Sequence, residues 1–122
     1  MAFNVQDIKS VLYDNAVTPL TTDGNSSVID FGREGGCPAS EIVLKISDVE
    51  SGEILNFTIY SRVSGSFVAT VFRAYITANG EYIWPVDNRV VPGDQLRLAH
   101  DLTLSAGTDG VKVHGHVRPR SL

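Results

Sequence analysis

The hydrophobic period of this chain changes at Val28, and that change most limits what the chain can fold into. From there onward apolar side chains recur at every second position, in short runs divided by turn-forming residues. Alternate residues of an extended strand point to opposite faces, so a period of two is satisfied only by a sheet with one buried face. Residues 28–31 predict a short strand ended by Gly32. Residues 41–47 place Ile42, Leu44 and Ile46 on one side, and residues 54–61 do the same with Leu55, Phe57 and Ile59. In the run 67–77, Val68, Phe72, Ala74 and Ile76 oppose Phe67, Val71, Arg73 and Tyr75. Residues 95–104 align Leu96, Leu98, Leu102 and Leu104 with His100 among them, and residues 111–117 align Val111, Val113 and Val117.

The breaks between these runs carry their own signals. Gly35-Gly36-Cys37-Pro38 stops any regular element, and Asp48-Val49-Glu50-Ser51-Gly52-Glu53 is a polar, acidic turn. Asn79-Gly80 supplies the positive φ of a tight hairpin, joining 67–77 to a returning strand at 81–86. Pro85 lacks an amide hydrogen and confines that strand to an edge or a bulge. Seven or eight strands with turn signals about every ten residues predict an all-β, antiparallel sandwich of jelly-roll type.

Residues 3–20 read differently. Val5, Ile8, Val11 and Leu12 fall near helical spacing ahead of Pro19, although β-branched residues and asparagines weaken a helix. The segment 1–20 is therefore expected to be an extended N-terminal arm with at most a helical turn. It precedes a sandwich domain at 21–117 and a loose tail at 118–122. So apolar an arm must cover something, either the protein's own sheet or a partner.

Composition narrows the function by exclusion. At 122 residues and 43% hydrophobic, the chain can bury a core without disulfides, and its one cysteine leaves none to pair with internally. Ten basic against fourteen acidic residues give a formal charge of −4, which argues against nucleic acid as the main partner. No run reaches the ~18 apolar residues of a membrane helix, and the N-terminus has no signal-peptide pattern, so synthesis in the cytoplasm is expected.

Residues able to do chemistry are scarce. His114 and His116 share a strand face at a spacing that suits a metal, but Lys112 and Arg118 on that face repel a cation. His100, on a leucine face, reads as a hydrogen-bonded core histidine. Cys37 has no histidine or helix terminus near it in sequence, and no Gly-x-Ser-x-Gly elbow is present. Asp48, Glu50 and Glu53 lack the calcium-loop pattern and read as a solvated turn. No enzyme, metal or cofactor is expected. Tyr82 and Trp84 alternate on one strand face near Arg89, and either close the core, anchor a protein contact or stack on a sugar.

The order of segments adds a resemblance. It starts with Asp7 and Tyr13-Asp14 and runs through Thr22-Asp23-Gly24-Asn25-Ser26-Ser27 into Val28-Ile29-Asp30-Phe31-Gly32. It continues with Glu41-Ile42-Val43-Leu44-Lys45-Ile46 and Leu55-Asn56-Phe57-Thr58-Ile59, then Gln95-Leu96-Arg97-Leu98 and Gly110-Val111-Lys112-Val113. In these the chain resembles the capsid cement, or decoration, proteins of podovirus-type phages, typified by the cement protein of a Bordetella phage. The resemblance implies a jelly roll that assembles as a homodimer, with a trimer as the alternative, on the outside of the virion. Its partner would be the major capsid protein, bound across capsomer joints so as to stabilise the head, with no membrane or nucleic acid involved. The expected contacts are Phe3, Ile8, Val11, Leu12 and Tyr13 on the arm, Tyr82, Trp84 and Arg89 at an edge, and Arg118 and Arg120 in the tail. A carbohydrate-binding adhesion module, or a neck or tail structural protein, stands as the alternative.

Overall fold

Every predicted run of alternating residues forms a strand. The structure, a computed structural model, describes residues 11–31, 40–62, 65–87, 90–91 and 93–119. In chain order its strands are β1 (Val11–Leu20), β2 (Gly24–Asn25), β3 (Ile29–Asp30), β4 (Ser40–Ser47), β5 (Ile54–Arg62), β6 (Val68–Ile76), β7 (Gly80–Val86), β8 (Gln95–Thr103) and β9 (Val111–Pro119).

They build two antiparallel sheets. Sheet I has the order β1-β9-β4-β7 and sheet II the order β2-β8-β5-β6, with β3 also paired to β8. The pairing mirrors the chain about its middle: β5 with β6, β4 with β7, β2 and β3 with β8, and β1 with β9. A long two-stranded ribbon wound over itself gives this order, which is the connectivity of a jelly roll. As Pro85 requires, β7 is an edge strand, where the missing amide hydrogen costs no ladder bond.

The core lies between the sheets. Ile42, Leu44 and Ile46 of β4 and Val111, Val113 and Val117 of β9 face Leu55, Phe57 and Ile59 of β5 and Leu96 and Leu98 of β8. Gly115 interrupts the β9 row because a Cβ there would lie 2.4 Å from Leu44 Cδ2 and 3.5 Å from the Tyr13 ring. The bare backbone makes room for those two side chains.

Residues 11–20 correct the expectation of an arm. They form β1 on the edge of sheet I, with Leu12 and Tyr13 only 2% and 3% exposed. Between Val11 and Tyr13 the register slips: Val11 faces His116 and Tyr13 faces Gly115, so two steps of β1 meet one of β9. This bulge buries consecutive residues and erases the alternation that marks a strand in sequence. At the other end, Arg118 and Pro119 belong to β9, paired with Glu41 and Ser40, rather than to a loose tail. Residues 1–10 and 120–122 lie outside the described residues.

A second bulge sits on β6. Thr58 faces Arg73 and Tyr60 faces Ala69, so Thr70, Val71 and Phe72 stand opposite Ile59 alone. The Phe72 N–H is taken up by Thr70 Oγ1 at 3.1 Å. Beyond this bulge Val68, predicted to share the buried face of Ala74 and Ile76, is 65% exposed.

Candidate interaction surfaces

The buried Tyr13, His100 and Glu53 side chains are committed to internal bonds. Tyr13 Oη lies 2.8 Å from His100 Nδ1, and His100 Nε2 lies 3.1 Å from the Thr22 carbonyl. Because a carbonyl only accepts, Nε2 carries the hydrogen and Nδ1 receives the tyrosine O–H. Burial holds the imidazole below its ordinary range and pushes the Tyr13 phenol up, so both are neutral. His100 is thus a hydrogen-bonded core residue, as read from its leucine face, and it joins β8 to β1 and to the loop before β2.

Glu53 departs from expectation. Its side chain is fully buried, not part of a solvated turn. Its carboxylate accepts the Glu50 N–H at 2.7 Å and the Ser105 N–H at 2.9 Å, and also bonds the Thr108 hydroxyl. The Glu50 N–H leads in holding the carboxyl below the usual range against the opposing effect of burial. Glu53 therefore ties the β4–β5 turn to the β8–β9 loop. Nothing in sequence separates it from Glu50, whose side chain is exposed. Between the same loops lies a cleft of about 250 Å³ lined by Asp48, Val49, Glu50, Thr108, Asp109 and Gly110. Among the described residues, no group of three or more histidine, cysteine or acidic side chains is placed to hold a metal ion.

The expected contact residues divide. Leu12 and Tyr13 are core residues, so neither is available as a surface contact. Tyr82 and Trp84 point inward from β7, stacked at 6.0 Å and 16°, and Trp84 meets Phe72 of β6 edge-on at 5.8 Å. They close the open side of the sandwich between the two edge strands, with Tyr82 Oη donating to the Ala78 carbonyl at 2.6 Å. Val11, at 39%, is exposed on β1. Phe3, Ile8, Arg89 and Arg120 lie outside the described residues, as does Cys37.

The outer face of sheet I is laid out in rows that follow from the register. One row runs Ile83, Val43, His116 and Val11; the next runs Glu81, Lys45, His114 and Asp14; a third holds Pro85, Glu41 and Arg118. Two cations here meet carboxylates, Arg118 Nε–Glu41 Oε1 at 3.3 Å and Lys112 Nζ–Asp48 Oδ2 at 3.2 Å, and His114 Nδ1 stands 3.7 Å from Asp14 Oδ1. His116 is held below the ordinary histidine range by burial, then by His114 and Arg118, against a smaller pull from Glu81.

The outer face of sheet II is built otherwise. Arg97 of β8 lies over the Phe67 ring at 4.4 Å and the Tyr60 ring at 5.8 Å, and Arg62 lies over Phe67 at 4.7 Å. Arg62 donates to Gln95 Oε1, and Gln95 Nε2 donates to Asp30 Oδ2 at 2.9 Å. Arg73 Nη1 donates to Thr58 Oγ1 at 3.2 Å. Among the described residues none of these guanidiniums forms an ion pair with a carboxylate. Beside them β6 exposes Val71 at 93% and Tyr75 at 66%.

No protein-family model matches the chain, and neither a curated protein nor a solved structure matches it.

Proposed function

We propose that this chain is a non-enzymatic structural protein of a phage virion, a decoration protein that binds the outer surface of the major capsid shell across capsomer joints. One observation carries the reading. The buried titratable groups Tyr13, Glu53 and His100 serve the fold itself, whereas arginines without a carboxylate partner and bare apolar side chains lie together on an outer face. A catalytic site concentrates perturbed groups in an accessible cleft; here they join strands and loops. The jelly-roll connectivity agrees with what the sequence resemblance implies, and supports the reading without identifying a partner. A clamp across a seam needs no turnover. A packaged genome strains the shell outward, and separating two capsomers then costs the clamp's contacts as well. A dimer that bridges them gains from effective concentration once one half has bound.

The sugar-binding alternative relied on Tyr82 and Trp84 as an exposed platform. Both face inward and are half-buried, so that platform is not presented.

The test adds purified chain to phage heads lacking it and measures occupancy and the heads' resistance to heat and osmotic shock. Saturable binding that raises resistance is expected; heads that stay bare would end this reading. The part played by the N-terminus is tested by deleting residues 1–10, which keeps all of β1. A deletion to residue 15 also removes Leu12 and Tyr13 from the core and is expected to unfold the domain.

A further inference from the structure

We propose that the outer face of sheet II is the surface that docks on the shell: Arg62, Arg73 and Arg97 receive carboxylates from an acidic protein surface, and Val71 and Tyr75 supply the apolar contacts beside them. The proposal rests on the reading above in taking that surface to belong to the major capsid protein.

Arg62 and Arg73 hydrogen-bond only neutral oxygens, and none of the three arginines meets a carboxylate among the described residues. Arg97 Nε is buried against the protein, so that only the far end of its guanidinium is left to meet a partner. Phe67 has a guanidinium on it from Arg97 and another from Arg62. Two like charges sharing one ring favour an anion arriving between or beside them. The rings also hold the guanidiniums of Arg62 and Arg97 in place, so less side-chain freedom remains to be lost when a carboxylate binds. Arg73 extends the cationic strip across β5 to β6, where it ends against exposed Val71 and Tyr75. Arginine and tyrosine beside exposed apolar side chains is the composition of an interface centre.

Other occupants fit less well. Duplex DNA meets a molecule of formal charge −4 and gains nothing from the valine and tyrosine. Addition of a partner strand to the β6 edge is opposed by the bulge at Thr70, Val71 and Phe72 and by the capture of the Phe72 N–H. A second copy would have to offer its acidic cleft at Asp48, Glu50 and Asp109, a head-to-tail contact that propagates into rings or filaments.

The experiment titrates the full chain onto shells assembled from the capsid protein alone and reads bound chain by sedimentation at two salt concentrations. Arg73→Glu should weaken shell binding about tenfold or more and reduce its salt dependence. Arg97→Lys, which keeps the charge and loses the guanidinium over the Phe67 ring, should weaken binding by less. Arg118→Gln and Lys112→Gln on sheet I should bind within about twofold of the wild type, since both cations are already paired. Arg73 is exposed and makes one hydrogen bond, so an unchanged melting temperature will show that its variant is folded. Sheet II variants that bind like the wild type, while the wild type itself decorates, overturn this proposal and leave the decoration function standing. Wild-type chain that fails to bind at all overturns the decoration reading first, and the docking with it. Retained shell binding with loss of a dimer, or of duplex DNA binding, in Arg73→Glu assigns the face to that other occupant and overturns the proposal.

Discussion

The two outer faces come from the same alternating strands, yet they treat charge in opposite ways. On sheet I a register row sets Glu81, Lys45, His114 and Asp14 side by side, and Arg118 and Lys112 find carboxylates within 4 Å. On sheet II the guanidiniums lie on rings or on neutral oxygens. A paired surface cation in water is worth little to stability and has little left to offer a partner. An aromatic-stacked arginine has its geometry fixed and its charge uncompensated. Net charge therefore says less about binding than the count of neighbours each cation already has.

The contrast presumes that both faces belong to one cooperative body, and the largest predicted effect tests this. Phe57 packs edge-on against Tyr13 across the sandwich at 5.9 Å, so Phe57→Ala should cost about 3–5 kcal/mol. Calorimetry should show one transition moving down; two transitions would mean the sheets unfold separately and the contrast is between two weakly linked layers. Next in size, Gly115→Ala forces a methyl onto Leu44 and should cost about 1–3 kcal/mol in urea unfolding, again in a single transition. Glu53→Gln leaves one of two backbone N–H groups without its carboxylate oxygen and should cost a similar ~1–3 kcal/mol. It should loosen the acidic end and spare both outer faces, which amide exchange at Glu50 and Ser105 will resolve.

Acid sharpens the comparison further. His100 is held neutral, with a folded-state pKa below its unfolded value near 6.5. Above that value neither state is charged and the group adds no pH dependence. As pH falls below it, the unfolded chain binds the proton first, so stability declines until the folded pKa is reached. His116 acts in the same direction, with a weaker claim because it is less enclosed. Urea midpoints between pH 7.5 and 5 should therefore fall for the wild type and fall less for His100→Asn. Glu53 contributes at lower pH: its stability is present above its ordinary 4.5 and is lost as pH drops through its depressed folded value. The smallest effect is expected for Arg118→Gln and Lys112→Gln, each within about 1 kcal/mol of the wild type by the same assay. A larger loss would show that sheet I's ion pairs carry structural weight and would blur the distinction from sheet II.

How far the sequence could be read depended on whether a strand kept its alternation. β4, β5, β8 and β9 keep it, so Ile42, Phe57, Leu98 and Val113 were placed on the correct side from the pattern alone. β1 loses it at the bulge that buries Leu12 beside Tyr13, and the segment looked like an arm. On β6 the extra residues opposite Ile59 turned Val68 out of the face its position suggested. Of the candidate surface, Tyr82 and Trp84 were visible as an aromatic pair with closure of the core as one of three open readings, and the structure bears out that one. Arg62 and Arg97 were not visible as a pair at all, because the β5–β8 register and the shared Phe67 ring bring them together.

Local pattern was enough to determine an all-β chain, the position of most strands and the confinement of the proline strand to an edge or a bulge. Those features depend on side-chain period and backbone geometry, which act between near neighbours. Tertiary structure alone decided that residues 11–20 complete a sheet, that Glu53 is an internal tie, which groups the core histidine His100 joins, and that Arg118 and Lys112 meet carboxylates on one face while Arg62, Arg73 and Arg97 do not on the other. Each of those outcomes depends on which distant strands become adjacent and in what register, and a one-residue shift changes every partner across the sheet.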